Sequence, residues 1–330
     1  MPKRKFNDYK LENLPSMTDK LLRVLRKNGI LNIEALAIAD LRLLIAWGIP
    51  ADTGENVIEE AGVIMDERVP FQMGDELLKE LEKDTLTTGC KNLDRLLGGG
   101  FNTKTMYVIY GKENVGKTNF LHHLLCRAMQ PVEKGGLGCP VIFIDSEKSF
   151  SYKRIIEIAP RFALTPEYVI NNMGRLDVSS SEQLVLVFKR ILLPAMKKIG
   201  ARVVLVDSII ANPRGEYGGR DNLSKRQHII GECFAALQTA LNSMNAVGIV
   251  ITQVTAIPLD EEGVRGYGYS GGNVLGHSHK VRLEIKFLEH DNSPNSNGLR
   301  EFVMEKSLDM PLGSCQLKLT SEGFHDVKGK

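Results

Sequence analysis

An α/β fold with a mostly parallel sheet, preceded by a small all-α domain, is predicted by three features of this chain. The first is the octet Gly111-Lys112-Glu113-Asn114-Val115-Gly116-Lys117-Thr118, a G-x-x-x-x-G-K-T pattern. An apolar run over 106–110 leads into it and helix-like apolar spacing over 119–129 follows, so the pattern sits between a strand and a helix, as a phosphate-binding loop requires. The second is alternation. Apolar, β-rich runs recur at 141–144, 203–206, 247–251, 281–287 and 302–304, and helical patterns at 155–159, 181–199 and 229–245 separate the early ones. Such alternation argues a parallel sheet covered on both faces. The third is the stretch 11–65, where short helical patterns are broken by tight Gly/Pro turns.

Taken in chain order, residues 1–10 are basic and polar and read as a tail. Thr18 is placed to cap a helix carrying Leu21, Leu22, Val24 and Leu25, Asn32 to cap 33–39, and Asp40 to cap 41–47. Gly48-Ile49-Pro50 breaks the pattern, and Asp52 or Thr53 can open the next helix through Val57 and Ala61. This domain, 11–65, reads either as a helix-hairpin-helix unit, whose glycine turns let backbone N–H groups approach a DNA phosphate, or as a plain helical bundle for protein contacts. Residues 66–86 carry charge and a proline and read as a linker ending in a short helix. The α/β domain occupies 87–330, and its late strands lie so close together that antiparallel hairpins are expected at the end of the sheet.

Composition excludes several classes. At 43% hydrophobic and 25% charged, the chain is of ordinary globular character. A net charge of +2 leaves any nucleic-acid surface to be local. Cys90, Cys126, Cys139, Cys233 and Cys315 form no C-x-x-C pair, hence no zinc or redox signature, and suit a reducing compartment. There is no signal peptide and no run of membrane-spanning length, so the cytosol, nucleoid or nucleus is expected and no membrane partner.

The chemistry gathers around the octet. Its N–H groups and the following helix N-terminus would cradle a polyphosphate, Lys117 would reach the β- and γ-phosphates, and the Thr118 hydroxyl would ligate Mg²⁺. Val203-Val204-Leu205-Val206-Asp207 is an apolar strand ending in a carboxylate that would orient a water on that Mg²⁺. A second such strand ends in Asp145-Ser146-Glu147, where Glu147 either polarises a water at the γ-phosphate or is a solvated capping acid. Gln253 ends a third strand, at 251–253, and its amide can sense the γ-phosphate. Two glycine- and tyrosine-containing loops, 212–220 with Arg214, Tyr217 and Arg220, and 254–272, suit phosphate contact and base stacking, or are plain surface loops.

These residues, with several longer segments, resemble the archaeal RadA and eukaryotic strand-exchange recombinases of the RecA-like ATPase superfamily, over about 11–327. The segments are Thr87-Thr88-Gly89-Cys90-Lys91-Asn92-Leu93-Asp94 with Leu96-Leu97-Gly98-Gly99-Gly100; Phe143-Ile144-Asp145-Ser146-Glu147 with Phe150 and Arg154; Arg214-Gly215-Glu216-Tyr217 with Gly219-Arg220; and Gly271-Gly272-Asn273-Val274-Leu275-Gly276-His277. The resemblance implies a RecA-like core and a DNA-dependent ATPase that forms a homo-oligomeric filament or ring and exchanges homologous strands. It implies ATP held by residues 111–119, Asn119 included, with Arg154 against adenine, and Mg²⁺ at Thr118 and Asp207. It makes Lys117, Glu147 and Gln253 the catalytic group, with Gln253 and His277 linking the γ-phosphate to DNA. Single-stranded DNA falls to Arg214, Tyr217, Arg220, Arg265, Gly271 and Gly272, and duplex DNA to Gly48 and Ile49. Other recombination proteins are implied as further partners.

The chain departs from the family's pattern in four places. Asn114 and Val115 stand where small or glycine residues are usual. Phe71-Gln72-Met73-Gly74 replaces an F-x-x-A segment, so Phe71 and Gly74 are expected to plug the neighbouring protomer's core with one methyl fewer. Pro15-Ser16-Met17-Thr18 replaces the first hairpin's glycines. Lys306 stands where an acidic cap over the neighbour's ATP is usual, and its ammonium either substitutes for a bound K⁺ or is a solvated surface group. These departures leave two alternatives open: an accessory RadA paralogue that binds ATP and DNA without exchanging strands, and an ATP-gated DNA-binding scaffold.

Overall fold

The computed structural model describes residues 10–68, 83–219, 221–256, 267–269, 281–288, 298–307 and 309–327. It divides into two compact units, Met1–Glu82 and Lys83–Lys330. Arg220, Arg265, Gly271, Gly272, His277, Phe71 and Gly74 lie outside the described residues, as do most of the basic tail and the linker's expected short helix. Among the described residues no helix is long and apolar enough to cross a membrane.

The first unit is built from α1 (Asp19–Lys27), α2 (Ile33–Ala37), α3 (Leu41–Ala46) and α4 (Ala51–Arg68). Local chemistry sets their starts: Thr18, Asn32 and Asp40 each accept an N–H of the first turn, from Leu21, Ala35 and Arg42. Two helices end alike. After α1, Gly29 at φ +89° lets Ile30 N–H return to Leu25 O; after α3, Gly48 at φ +82° lets Ile49 N–H return to Leu44 O. In both, the glycine takes the left-handed position that closes the helix, and the isoleucine behind it is buried. Leu25, Ile33, Leu36, Leu44, Val57 and Ala61 fill the core between the four helices. The Pro15–Thr18 turn is tied down by Glu60, whose carboxylate accepts Ser16 N–H at 3.0 Å and Ser16 Oγ at 2.6 Å.

The second unit is organised by one sheet. Its strands are β3 (Thr105–Gly111), β4 (Val141–Asp145), β5 (Met173–Asp177), β6 (Val203–Asp207), β7 (Val247–Ala256), β8 (Tyr267–Tyr269), β9 (Val281–Phe287), β10 (Leu299–Lys306), β11 (Gly313–Thr320) and β12 (Gly323–Asp326). A short separate pair, β1 (Thr85–Leu86) and β2 (Phe101–Asn102), precedes them. The spatial order is β12-β11-β10-β9-β3-β7-β6-β4-β5, with β8 on the extended end of β7. From β5 through β9 all neighbours are parallel, and from β9 to β12 they are antiparallel. One face is covered by the helix Lys117–Ala128, the other by Leu223–Met244 and the segments of 181–199.

Several expectations change. The stretch 181–199 is helical throughout, but Val187–Ile191 widens into a π-turn between Ser181–Leu186 and Leu192–Ile199. Pro194 supplies the reason: it has no N–H for the carbonyl one turn back, so the ladder is re-threaded ahead of it. Part of the loop expected at 212–220 is a helix, Ala211–Glu216, because Glu216 reaches across to accept Ser181 N–H at 2.9 Å. Strand β7 does not end at Gln253 but runs to Ala256, where β8 pairs with it. Strands β5, β11 and β12 had no apolar run to announce them. β5 and β11 are largely solvent-accessible, and β12 is only four residues long.

Candidate nucleotide-binding site

Register places the chemistry. In the ladders, Asp145 of β4 lies beside Asp207 of β6, and Gly111 of β3 beside Gln253 of β7. Four strands thus deliver functional groups to one carboxyl edge, where ligands of parallel sheets bind. There a cleft of about 380 Å³ is lined by Glu113, Asn114, Gly116, Lys117, Thr118, Asn119, Glu147, Asp207 and Gln253.

The loop's backbone explains its residues. Asn114 has φ +60° and Gly116 φ +109°. Asparagine tolerates the left-handed region better than other non-glycine residues, so Asn114 serves where a glycine is usual. Val115 is wholly buried in the core, and its carbonyl accepts Arg300 Nε at 2.8 Å from β10. A Cβ on Gly111 would come within 2.2 Å of Ile285 O, so β3 and β9 can approach this closely only at a glycine.

Lys117 opens the helix and folds back, donating to Gly111 O and Lys112 O, each at 2.8 Å. Burial lowers its pKa, and the charges of Asp207, Glu147 and Glu113 oppose that shift. Thr118 Oγ1 donates to Asp207 Oδ2 at 2.7 Å, and Ser149 Oγ donates to the same oxygen at 2.6 Å. Asp207 is 1% exposed, and burial raises its pKa against these two hydrogen bonds. Asp145 is buried as well; it accepts Ser149 N–H at 2.9 Å and the Arg175 guanidinium at 2.7 and 3.0 Å, which fixes the turn carrying Glu147. On that turn Lys148 stands at φ +57°, and its ammonium pairs with Asp177 of β5.

Arg154 is engaged on every side. Its Nε donates to Asn119 Oδ1 at 2.7 Å and its Nη2 to Thr320 O at 3.2 Å, and its Nη1 pairs with Glu157. The guanidinium plane is thereby held fixed beside the loop. His122 joins the P-loop helix to the next segment: Ser151 N–H donates to Nε2 at 2.9 Å, so Nδ1 carries the proton and donates to Thr118 O at 2.8 Å. Burial pushes its pKa down.

Glu147 Oε1 accepts Ser208 Oγ at 2.5 Å and Gln253 Nε2 at 3.1 Å. Arg214 Nη1 donates to Gln253 Oε1 at 3.1 Å. Tyr217 Oη donates to Glu182 at 3.1 Å, and Lys225 Nζ sits 3.9 Å over the Tyr217 ring. Lys306 ends β10 opposite Arg282. In the first unit, Gly48 and Ile49 have their N–H groups bonded within the helix end, and Ile49 is buried.

Sequence reasoning did not single out Ser149, Ser208, His122, Arg175 or Arg300. Each acts through a contact between distant segments, and only the short spacing of Ser149 and Ser208 from Glu147 and Asp207 offered a signal.

A Mg²⁺ bound to a nucleotide fits these residues. Asp207 is a buried carboxylate held by the Ser149 hydroxyl and by the Thr118 hydroxyl at the helix start, which sets a carboxylate and a hydroxyl oxygen side by side. Among the described residues no group of three or more His, Cys, Asp or Glu could hold a metal by itself, so phosphate oxygens and water have to complete the shell.

The sequence model of the Rad51 family matches residues 81–327. The chain is also similar to the DNA repair and recombination protein RadA of Aeropyrum pernix, with 31% identity over 287 residues that cover 86% of this chain and 88% of that protein. An α/β unit with a P-loop at the carboxyl edge of a mostly parallel sheet defines a RecA-like ATPase fold. Within that class, the chain belongs to the Rad51 family.

Proposed function

We propose that this protein is a DNA-dependent ATPase of recombinational repair that assembles on single-stranded DNA and promotes homologous strand exchange. The observation that carries the reading is the convergence of Lys117, Thr118, Asp207, Glu147 and Gln253 on one cleft, in a chain of the Rad51 family. The triphosphate lies along residues 111–119, with Lys117 swinging from its carbonyl partners onto the β- and γ-phosphates. Adenine lies on the fixed face of Arg154. Thr118 and Asp207 would hold Mg²⁺, which would supply neutralisation of the phosphate charge. Glu147 takes the proton of the attacking water. Arg214, Tyr217 and Arg220, with Arg265, Gly271, Gly272 and His277, serve the single strand. Phe71 and Gly74 join protomers into a filament or ring, where Lys306 faces the neighbour's nucleotide.

The test is a mixture of protein, ATP, Mg²⁺, a single strand and a homologous duplex, assayed for joint molecules. Strand exchange that is lost in Lys117→Ala supports the reading. Hydrolysis and DNA binding without joint molecules would instead mark an accessory paralogue, the reading favoured by Gly74 and Lys306. Binding without hydrolysis would mark a scaffold.

A further inference from the structure

The carboxylate assigned to activate water is already occupied. One oxygen of Glu147 holds both the Ser208 hydroxyl and the Gln253 amide, and that amide's other end holds Arg214. The order of atoms is forced. Turning the Gln253 amide over would set its NH₂ against a guanidinium and its carbonyl against a carboxylate, two repulsions for two attractions. The three residues come from different places, the turn after β4, strand β7 and the helix Ala211–Glu216, so the contacts tie three separate elements together.

We propose that Arg214–Gln253–Glu147 is a resting lock on hydrolysis, opened when a nucleic-acid phosphate takes Arg214. The proposal rests on the assignment of Glu147 made above. Two donors on one carboxylate oxygen make it a poorer acceptor for a water proton, so the locked state is a weak base. Arg214 is exposed, and its guanidinium donates to a neutral amide oxygen, that of Gln253. A phosphodiester offers the same guanidinium two charged oxygens, so the exchange runs toward the phosphate. Lys225 and Arg226 lie just beyond on the next helix and add positive charge where the strand would arrive. Once Arg214 leaves, the Gln253 carbonyl has lost its anchor and the amide no longer has to point N-first at Glu147.

The lock has a sign that a simple DNA contact lacks. Removing a residue that only grips DNA lowers the DNA-stimulated rate and leaves the DNA-free rate alone. Removing the anchor of a lock raises the DNA-free rate. The experiment is steady-state ATP hydrolysis by the full chain with Mg²⁺, with and without an oligothymidylate, for the wild type, Arg214→Ala, Arg214→Lys and Glu147→Gln. Arg214→Ala is expected to raise the DNA-free kcat about fivefold with KM for ATP unchanged, and to bring the stimulation ratio close to one. Arg214→Lys, which keeps one donor, should lie between and reads the same rates if the alanine variant does not fold. A DNA-free kcat equal to or below wild type in both overturns the lock. Hydrolysis surviving in Glu147→Gln at the wild-type rate would instead overturn the assignment of the base, whatever Arg214 does.

Discussion

The two halves of the sheet are built on different terms. From β5 to β7 and β3 the strands are parallel, and β3, β4 and β6 are buried along their whole length. From β9 to β12 they are antiparallel, and β9 and β10 alternate buried with half-buried positions. A strand buried on both faces has no freedom of register, and so it delivers its terminal carboxylate to one place. A half-exposed strand tolerates polar substitution and is a poor anchor for catalysis. Accordingly Asp145, Glu147, Asp207 and Gln253 all follow from the parallel half. The antiparallel half supports the site from outside through a seam: Phe302 and Phe324 pack on Phe120 of the P-loop helix, His123 bonds Phe324 N–H, and Arg300 holds the Val115 carbonyl.

The comparison can be broken at four points. If the parallel half holds the chemistry, Glu147→Gln should cut kcat about a thousandfold while leaving the unfolding transition in place. Stopped turnover with intact nucleotide binding is the expected pair of results. If the aromatic seam holds the halves together, Phe120→Ala should destabilise the core by about 3–4 kcal/mol. Val303→Ala, at a half-buried position of β10, should cost no more than about 1 kcal/mol. Denaturant titration of both variants compares seam with surface, and equal losses would erase the distinction.

The seam is also expected to be acid-sensitive. His123 is wholly buried with its pKa pushed down to about 3, chiefly by desolvation, and both ring nitrogens are bonded, Nε2 to Thr88 O and Nδ1 to Phe324 N–H. Above its unfolded pKa of about 6.5 the imidazole is neutral in both states and its contribution is complete. As pH falls from there toward 3, only the unfolded chain takes up the proton, and stability is lost, by about 2 kcal/mol at pH 5. The difference in unfolding free energy between wild type and His123→Gln should therefore shrink on acidification from pH 7 to 5. A constant difference would remove His123 from the account. The smallest effect is expected at Arg300: replacing it with Leu frees the Val115 carbonyl and should raise KM for ATP about threefold, measured by nucleotide titration.

Much of the site was legible. The octet, the two apolar strands ending in Asp207 and Asp145-Ser146-Glu147, and the caps Thr18, Asn32 and Asp40 are local patterns in which each residue's role is set by neighbours within a few positions. Less was legible where accessible or very short strands carry no apolar run, as in β5, β11 and β12. The helix at Ala211–Glu216 is not announced by its own residues, because Ser181, whose N–H Glu216 accepts, lies far away in sequence. Ser149 and Ser208 lie within two residues of Glu147 and Asp207, but the pairing of Ser149 with Asp207 and of Ser208 with Glu147 crosses between strands and was not legible for the same reason.

Residue order alone determined the phosphate loop, the acid-tipped strands and the helical caps, because dihedral preference, periodicity and short-range hydrogen bonding act along the chain. Folding alone decided which acid faces which hydroxyl, that Asn114 could stand in for a glycine, and that Arg214 reaches Gln253. Those outcomes depend on strand register and on side chains meeting across the sheet, and distances of that kind exist only once the backbone has closed.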